Sequence, residues 1–64
     1  MTVNGKSVEL GAPQGLTDYL ESLGVARRQI AVAHNGNIVR KDDYRGVTLQ
    51  DGDRLEIVRA IGGG

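Results

Sequence analysis

The sequence predicts an α+β fold in which one short helix packs on a mixed sheet of four to five strands, and three observations carry this expectation. Leu16, Leu20 and Leu23 recur at helical spacing. Two Asn-Gly pairs, Asn4-Gly5 and Asn35-Gly36, each separate two short apolar runs, as a tight hairpin does. A third turn, Asp51-Gly52, leads into Arg54 to Arg59, where Leu55 and Ile57 alternate with polar neighbours. At 64 residues the chain forms a single domain, and folding at this size buries only about 60% of the surface the unfolded chain exposes.

Each element follows from local chemistry. Asn and Gly tolerate the positive φ angles of a two-residue turn, so Thr2-Val3 and Ser7 to Leu10 are expected to pair as antiparallel strands. Gly11 to Gly15, with Pro13 inside, interrupts the pattern and reads as a loop. The helix then runs from Leu16 to a stop at Gly24, with Tyr19 beside the leucine face and Asp18 near the positive helix start. About two turns of helix are unstable alone in water, so this face must be buried against the sheet. Ile30 to His34 and Asn37 to Val39 form the second hairpin, Arg40 to Gly46 is polar and irregular, and Val47 to Leu49 is a short strand before the last one. Leu55 and Ile57 are expected in the core, which leaves Val58 on the other face. One helix on one mixed sheet in this order is the β-grasp, or ubiquitin-like, arrangement.

Composition excludes several functions. Eight basic residues balance eight acidic ones, so no charge excess points to nucleic acid or to an anionic membrane. Two tyrosines are the only aromatics, too few for a base-stacking surface. Without cysteine there is no disulfide, thiolate metal site or thiol nucleophile. No credible Ser-His-Asp set or phosphate-binding loop is present either, so the chain is not expected to be an enzyme and no catalytic or metal-ligating residue is assigned. The opening residues lack a signal-peptide core and no stretch could span a bilayer, which makes the cytoplasm the expected location.

The terminal run Ile61-Gly62-Gly63-Gly64 carries the functional expectation. Residues 1–60 are read as the domain and 61–64 as a flexible glycine tail, because consecutive glycines cannot pack a core and lose much backbone freedom on ordering. Extended, four residues reach roughly 13 Å, and without Cβ atoms the last three fit a channel too narrow for side chains. The Gly64 carboxylate is a poor electrophile as it stands. It can attack a phosphorus atom of ATP held by another protein, and a sulfur nucleophile can then displace AMP from the acyl-adenylate. Val58, exposed beside the tail, would form a docking patch with Ile61. His34, with no second ligand or base evident, is expected as a packed or partner-facing side chain.

Leu16-Thr17-Asp18-Tyr19-Leu20, Ala31-Val32-Ala33-His34-Asn35-Gly36-Asn37-Ile38-Val39, Leu49-Gln50-Asp51-Gly52-Asp53 and Ile57 to Gly64 together resemble the thiamine-pathway sulfur carriers, the ThiS family, over essentially the whole chain. The resemblance implies adenylation of the C-terminus by a ThiF-type adenylyltransferase and delivery of sulfur to a ThiG-type thiazole synthase. On the family pattern, Gly64 becomes the thiocarboxylate, Gly63 is the penultimate glycine, and Gly62 extends the tail. No cofactor is expected on the chain itself, since ATP and magnesium would belong to the activating enzyme. His34 departs from the family, which often has an aliphatic residue there. The small subunit of molybdopterin synthase is similar in fold and ending, and carriers for cysteine synthesis or RNA thiolation also remain alternatives. A ubiquitin-like binding module with an incidental glycine end is a reading of a different class.

Overall fold

The computed structural model describes residues 1–25 and 29–59. Its elements are β1 (Thr2–Val3), β2 (Lys6–Ser7), β3 (Gln14–Gly15), α1 (Leu16–Leu23), β4 (Ile30–His34), β5 (Asn37–Val39), a 3-10 helix (Lys41–Gly46), β6 (Thr48–Leu49) and β7 (Arg54–Arg59). Five strands form the main sheet in the order β2-β1-β7-β4-β5. Only β1 and β7 run parallel, and the other neighbours are antiparallel. Both Asn-Gly turns take the expected form, with φ of 52° and 82° at Asn4 and Gly5 and of 52° and 85° at Asn35 and Gly36.

The inner face of the sheet meets the helix in a small core of Leu16, Tyr19, Leu20, Ile30, Val32, Tyr44, Leu49 and Leu55, all buried. Gly24 ends α1 in the left-handed conformation at φ 73°, its N–H donating to Glu21 and Leu20 carbonyls, a position that suits glycine because it has no Cβ to clash. Leu16 and Leu20 are buried as expected, but Leu23 is 47% exposed. Its angle around the helix is right, yet it belongs to the last turn, beyond the residues that α1 contributes to the core.

Three local expectations change. The strand expected over Ser7 to Leu10 is limited to Lys6–Ser7. The pairing goes only as far as Val8, which exchanges bonds with Met1, before Gly11 turns the chain at φ 76°. The loop of residues 11–15 contains β3, which pairs with β6 in a separate two-stranded sheet. This explains how a helix with no side-chain cap can start at Gly15: the Leu16 N–H, left without an intrahelical acceptor, donates to the Val47 carbonyl at 2.9 Å. The polar stretch after β5 is a 3-10 helix whose Tyr44 is 1% exposed and plugs the core between α1 and the sheet. Burying that ring fixes a segment whose other residues are exposed.

Candidate functional site

β7 leads to the chain end and lies at the centre of the sheet, with β1 on one side and β4 on the other. Both hairpin asparagines reach across to it. Asn4 receives the Ile57 N–H at 2.8 Å on its Oδ1 and donates its Nδ2 to the Ile57 carbonyl at 3.1 Å. Asn35 receives the Arg54 N–H at 2.8 Å. Each side chain thus extends the sheet's bonding past the end of its own strand, so the Asn of each Asn-Gly pair serves both the turn and β7.

A second group of bonds holds the start of β7. Asp53 accepts the His34 Nε2–H at 2.7 Å, the Gln50 N–H at 3.2 Å and the Asn35 amide at 3.4 Å. A carboxylate can only accept, so the proton lies on Nε2. The His34 hydrogen bond above all holds the Asp53 carboxyl below its ordinary range; partial burial pushes the other way, and Asn35, the Gln50 amide and the charge of His34 reinforce the lowering. The side chains of His34 and Asp53 are 22% and 11% exposed.

The two faces of the sheet differ sharply near the exit of β7. Leu55 and Ile57 point inward, with Leu55 opposite His34 and Ile57 opposite Val32. The outer face carries Ala31 opposite Val58, and Ala33 between Glu56 and Ile38. Val58 and Ile38 are 62% and 77% exposed. The large-small alternation Ile30-Ala31-Val32-Ala33 therefore gives β4 a low alanine floor outside. Ile38 and Val58 stand on the two strands flanking that floor, which are about 10 Å apart at the usual strand spacing, and are offset along it by two residues. The result is a shallow trough beside the exit of the last strand, edged by Val58 and Ile38, with the exposed Glu56 across Ala33 from Ile38.

Val58 lies where the alternation placed it. His34 does not join it, since the side chain is on the opposite face and engaged by Asp53. Ile61, Gly62, Gly63 and Gly64 lie outside the described residues. Ile38, Ala31 and Ala33 were not foreseen at the site, although the alternation in β4 was the signal that could have found them.

The trough and the strand leading to the glycine run set the comparison with known proteins. The ThiS family model matches residues 1–64. The chain belongs to the ThiS family. It is similar to the sulfur carrier protein ThiS of Bacillus subtilis, at 35% identity over 65 residues that cover all of this chain and 98% of the relative. It is also similar to a thiazole synthase of Paramagnetospirillum magneticum, at 42% identity over 64 residues, and there it spans only 20% of the relative's length. A thiazole synthase of Magnetococcus marinus matches in the same way, with 19% of its length covered. Among solved structures, the crystal structure of a thiamine biosynthesis protein (ThiS) from Geobacter metallireducens has a TM-score of 0.80 at 36% identity, covering 98% of this chain and 96% of that one. The β-grasp expectation holds in full: a mixed five-stranded sheet on one short helix. Among the described residues, no helix is long and apolar enough to cross a membrane.

Proposed function

We propose that this chain is a sulfur carrier of thiamine biosynthesis that works through the α-carboxylate of Gly64. A ThiF-type adenylyltransferase, holding ATP and magnesium, takes the glycine end into its active site. The carboxylate oxygen attacks the α-phosphorus, pyrophosphate leaves, and the Gly64 carbonyl becomes an acyl-adenylate. A sulfur nucleophile then adds to that carbonyl carbon, the bond to the AMP oxygen breaks, and Gly64 carries sulfur as a thiocarboxylate. A ThiG-type thiazole synthase receives this sulfur for the thiazole ring. The chain contributes no catalytic group and holds no cofactor of its own; its part is presentation.

One observation supports this reading most: a family match spanning residues 1–64 includes both the folded body and the Ile61-Gly62-Gly63-Gly64 end. The exposed trough at the base of that end gives a partner something to grip while the glycines enter its active site. The intact mass of the chain from its native host tests the chemistry, because replacing one carboxylate oxygen by sulfur adds about 16 Da. A thiamine-requiring deletion strain should be rescued by the full chain and not by a version lacking Gly64. Rescue by the shortened version would refute the carrier reading and favour a binding module.

A further inference from the structure

Along β7 the backbone groups of every second residue face β1. The Thr2 N–H donates to the Asp53 carbonyl at 3.0 Å, and the Asn4 N–H to the Leu55 carbonyl at 2.9 Å. There β1 stops, because Asn4 and Gly5 take positive φ and turn the chain into β2. The next β7 groups on this side, the N–H and C=O of Ile57, are met by the Asn4 side chain, its Oδ1 accepting from the first and its Nδ2 donating to the second. A side-chain amide carries both an acceptor and donors, so it completes one more rung where the backbone has turned away. By the same alternation the Arg59 backbone groups face that side, and among the described residues no strand lies there. Support from both sides thus ends at Ile57, and only β4 continues, as far as Ile30 opposite Arg59.

Position gives this clasp its importance. Val58, one wall of the trough, is the very next residue, and residues 58–64 span at most about 25 Å from the clasp to the reacting carboxylate. A partner that grips the trough while drawing Gly64 into its active site needs the two in a fixed relation. Without the Asn4 amide the end of β7 hangs from β4 alone, and a strand end that leaves the sheet must be ordered again on binding. The binding-competent fraction of the free chain then falls, and the apparent affinity falls by the same factor. Asn35 provides the contrast, since its Oδ1 gives the same kind of bond to the Arg54 N–H, where β7 begins.

We infer that Asn4 is a positioning residue for charging of the carrier: its amide holds Ile57 so that the trough and the glycine end reach the adenylyltransferase in one fixed relation. The inference rests on the carrier reading above. The test is ATP–pyrophosphate exchange by the ThiF-type adenylyltransferase of the host with the full chain as co-substrate, and amide hydrogen exchange of the free chain beside it. Asn4→Gly keeps the positive φ of the turn and removes the clasp. It should raise KM for the carrier about fivefold, leave kcat within about twofold, and speed exchange of the Ile57 amide about fivefold. Asn4→Asp keeps the turn and the acceptor for the Ile57 N–H, and should bring KM back to within about twofold of the unaltered chain. Asn35→Gly should speed exchange at Arg54 and leave KM within about twofold. Thermal melts check that each variant is folded at the assay temperature. A KM for Asn4→Gly within about twofold of the unaltered chain would overturn the inference, and faster Ile57 exchange alongside it would make the clasp purely structural; either way the carrier reading stands. An equal rise in KM for Asn35→Gly would overturn it as well, since any loosening of β7 would then suffice. An unaltered chain that supports no pyrophosphate exchange would remove the carrier reading, and the inference with it.

Discussion

The two ends of β7 are held in very different ways. At its start, Asp53 gathers hydrogen bonds from His34, Gln50 and Asn35, the Arg54 N–H is bound by Asn35, and Leu55 is fully buried. At its finish, Val58 and Arg59 are exposed, and neither side chain makes a hydrogen bond or ion pair among the described residues. A carrier needs both conditions in one strand. The body must not move when the far end is pulled into another protein, and the last residues must not be committed to the body's own packing. Within six residues the strand passes from anchor to contact surface.

Substitutions along β7 should therefore fall in graded effect. Leu55→Ala opens a cavity at the centre of a small core and should cost about 2–5 kcal/mol of unfolding free energy. In a domain of this size that is a large fraction of the total; denaturant titration measures it. A loss below about 1 kcal/mol would mean that the start of β7 is not the anchor it looks to be.

Asp53→Asn comes next, with an expected loss of about 1 kcal/mol near neutral pH, modest because the hydrogen bonds are partly exposed. Its pH dependence has a definite sign. The folded-state pKa of Asp53 lies below its ordinary value of 3.8, so its contribution is fully present above that value and is lost as pH falls through the depressed folded-state value. The gap between wild type and Asp53→Asn should be constant from about pH 5 to pH 6 and should close in acid. A gap independent of pH down to about pH 2 would remove the carboxylate from the account.

Val58→Ser should have the smallest effect on folding, within about 0.5 kcal/mol, because the side chain is already in water. Binding to a thiazole synthase should nonetheless weaken, since the same side chain forms one wall of the trough. Destabilisation as large as that of Leu55→Ala would erase the contrast between the two ends.

Strand alternation and turn chemistry made much of this legible. Asn4-Gly5, Asn35-Gly36 and the leucines at 16 and 20 carry local signals whose meaning does not depend on distant residues, and the opposed faces of Leu55 and Val58 follow from a period of two. What escaped was set by tertiary contact. Gln14–Gly15 becomes a strand only because Thr48–Leu49 comes alongside, and no propensity in a glycine and proline loop announces that. Tyr44, a single apolar side chain among charges, buries itself because a gap between α1 and the sheet is waiting for it. The alanines of β4 carried no assignment from the sequence; Ala31 is exposed and Ala33 only partly buried. Their smallness matters on the outside.

The parallel pairing of β1 with β7 has a consequence for how the molecule comes into being. Among the described residues, the middle of the sheet is supplied by the last strand to be synthesised, and its neighbour on one side is the first. Until Arg54 to Arg59 have been synthesised, β1 and β4 have nothing between them, and long-range closure of this kind must precede the contacts that reward it. Chains aborted before β7 would present no assembled docking face, so unfinished products should not compete with finished ones for the partner enzymes.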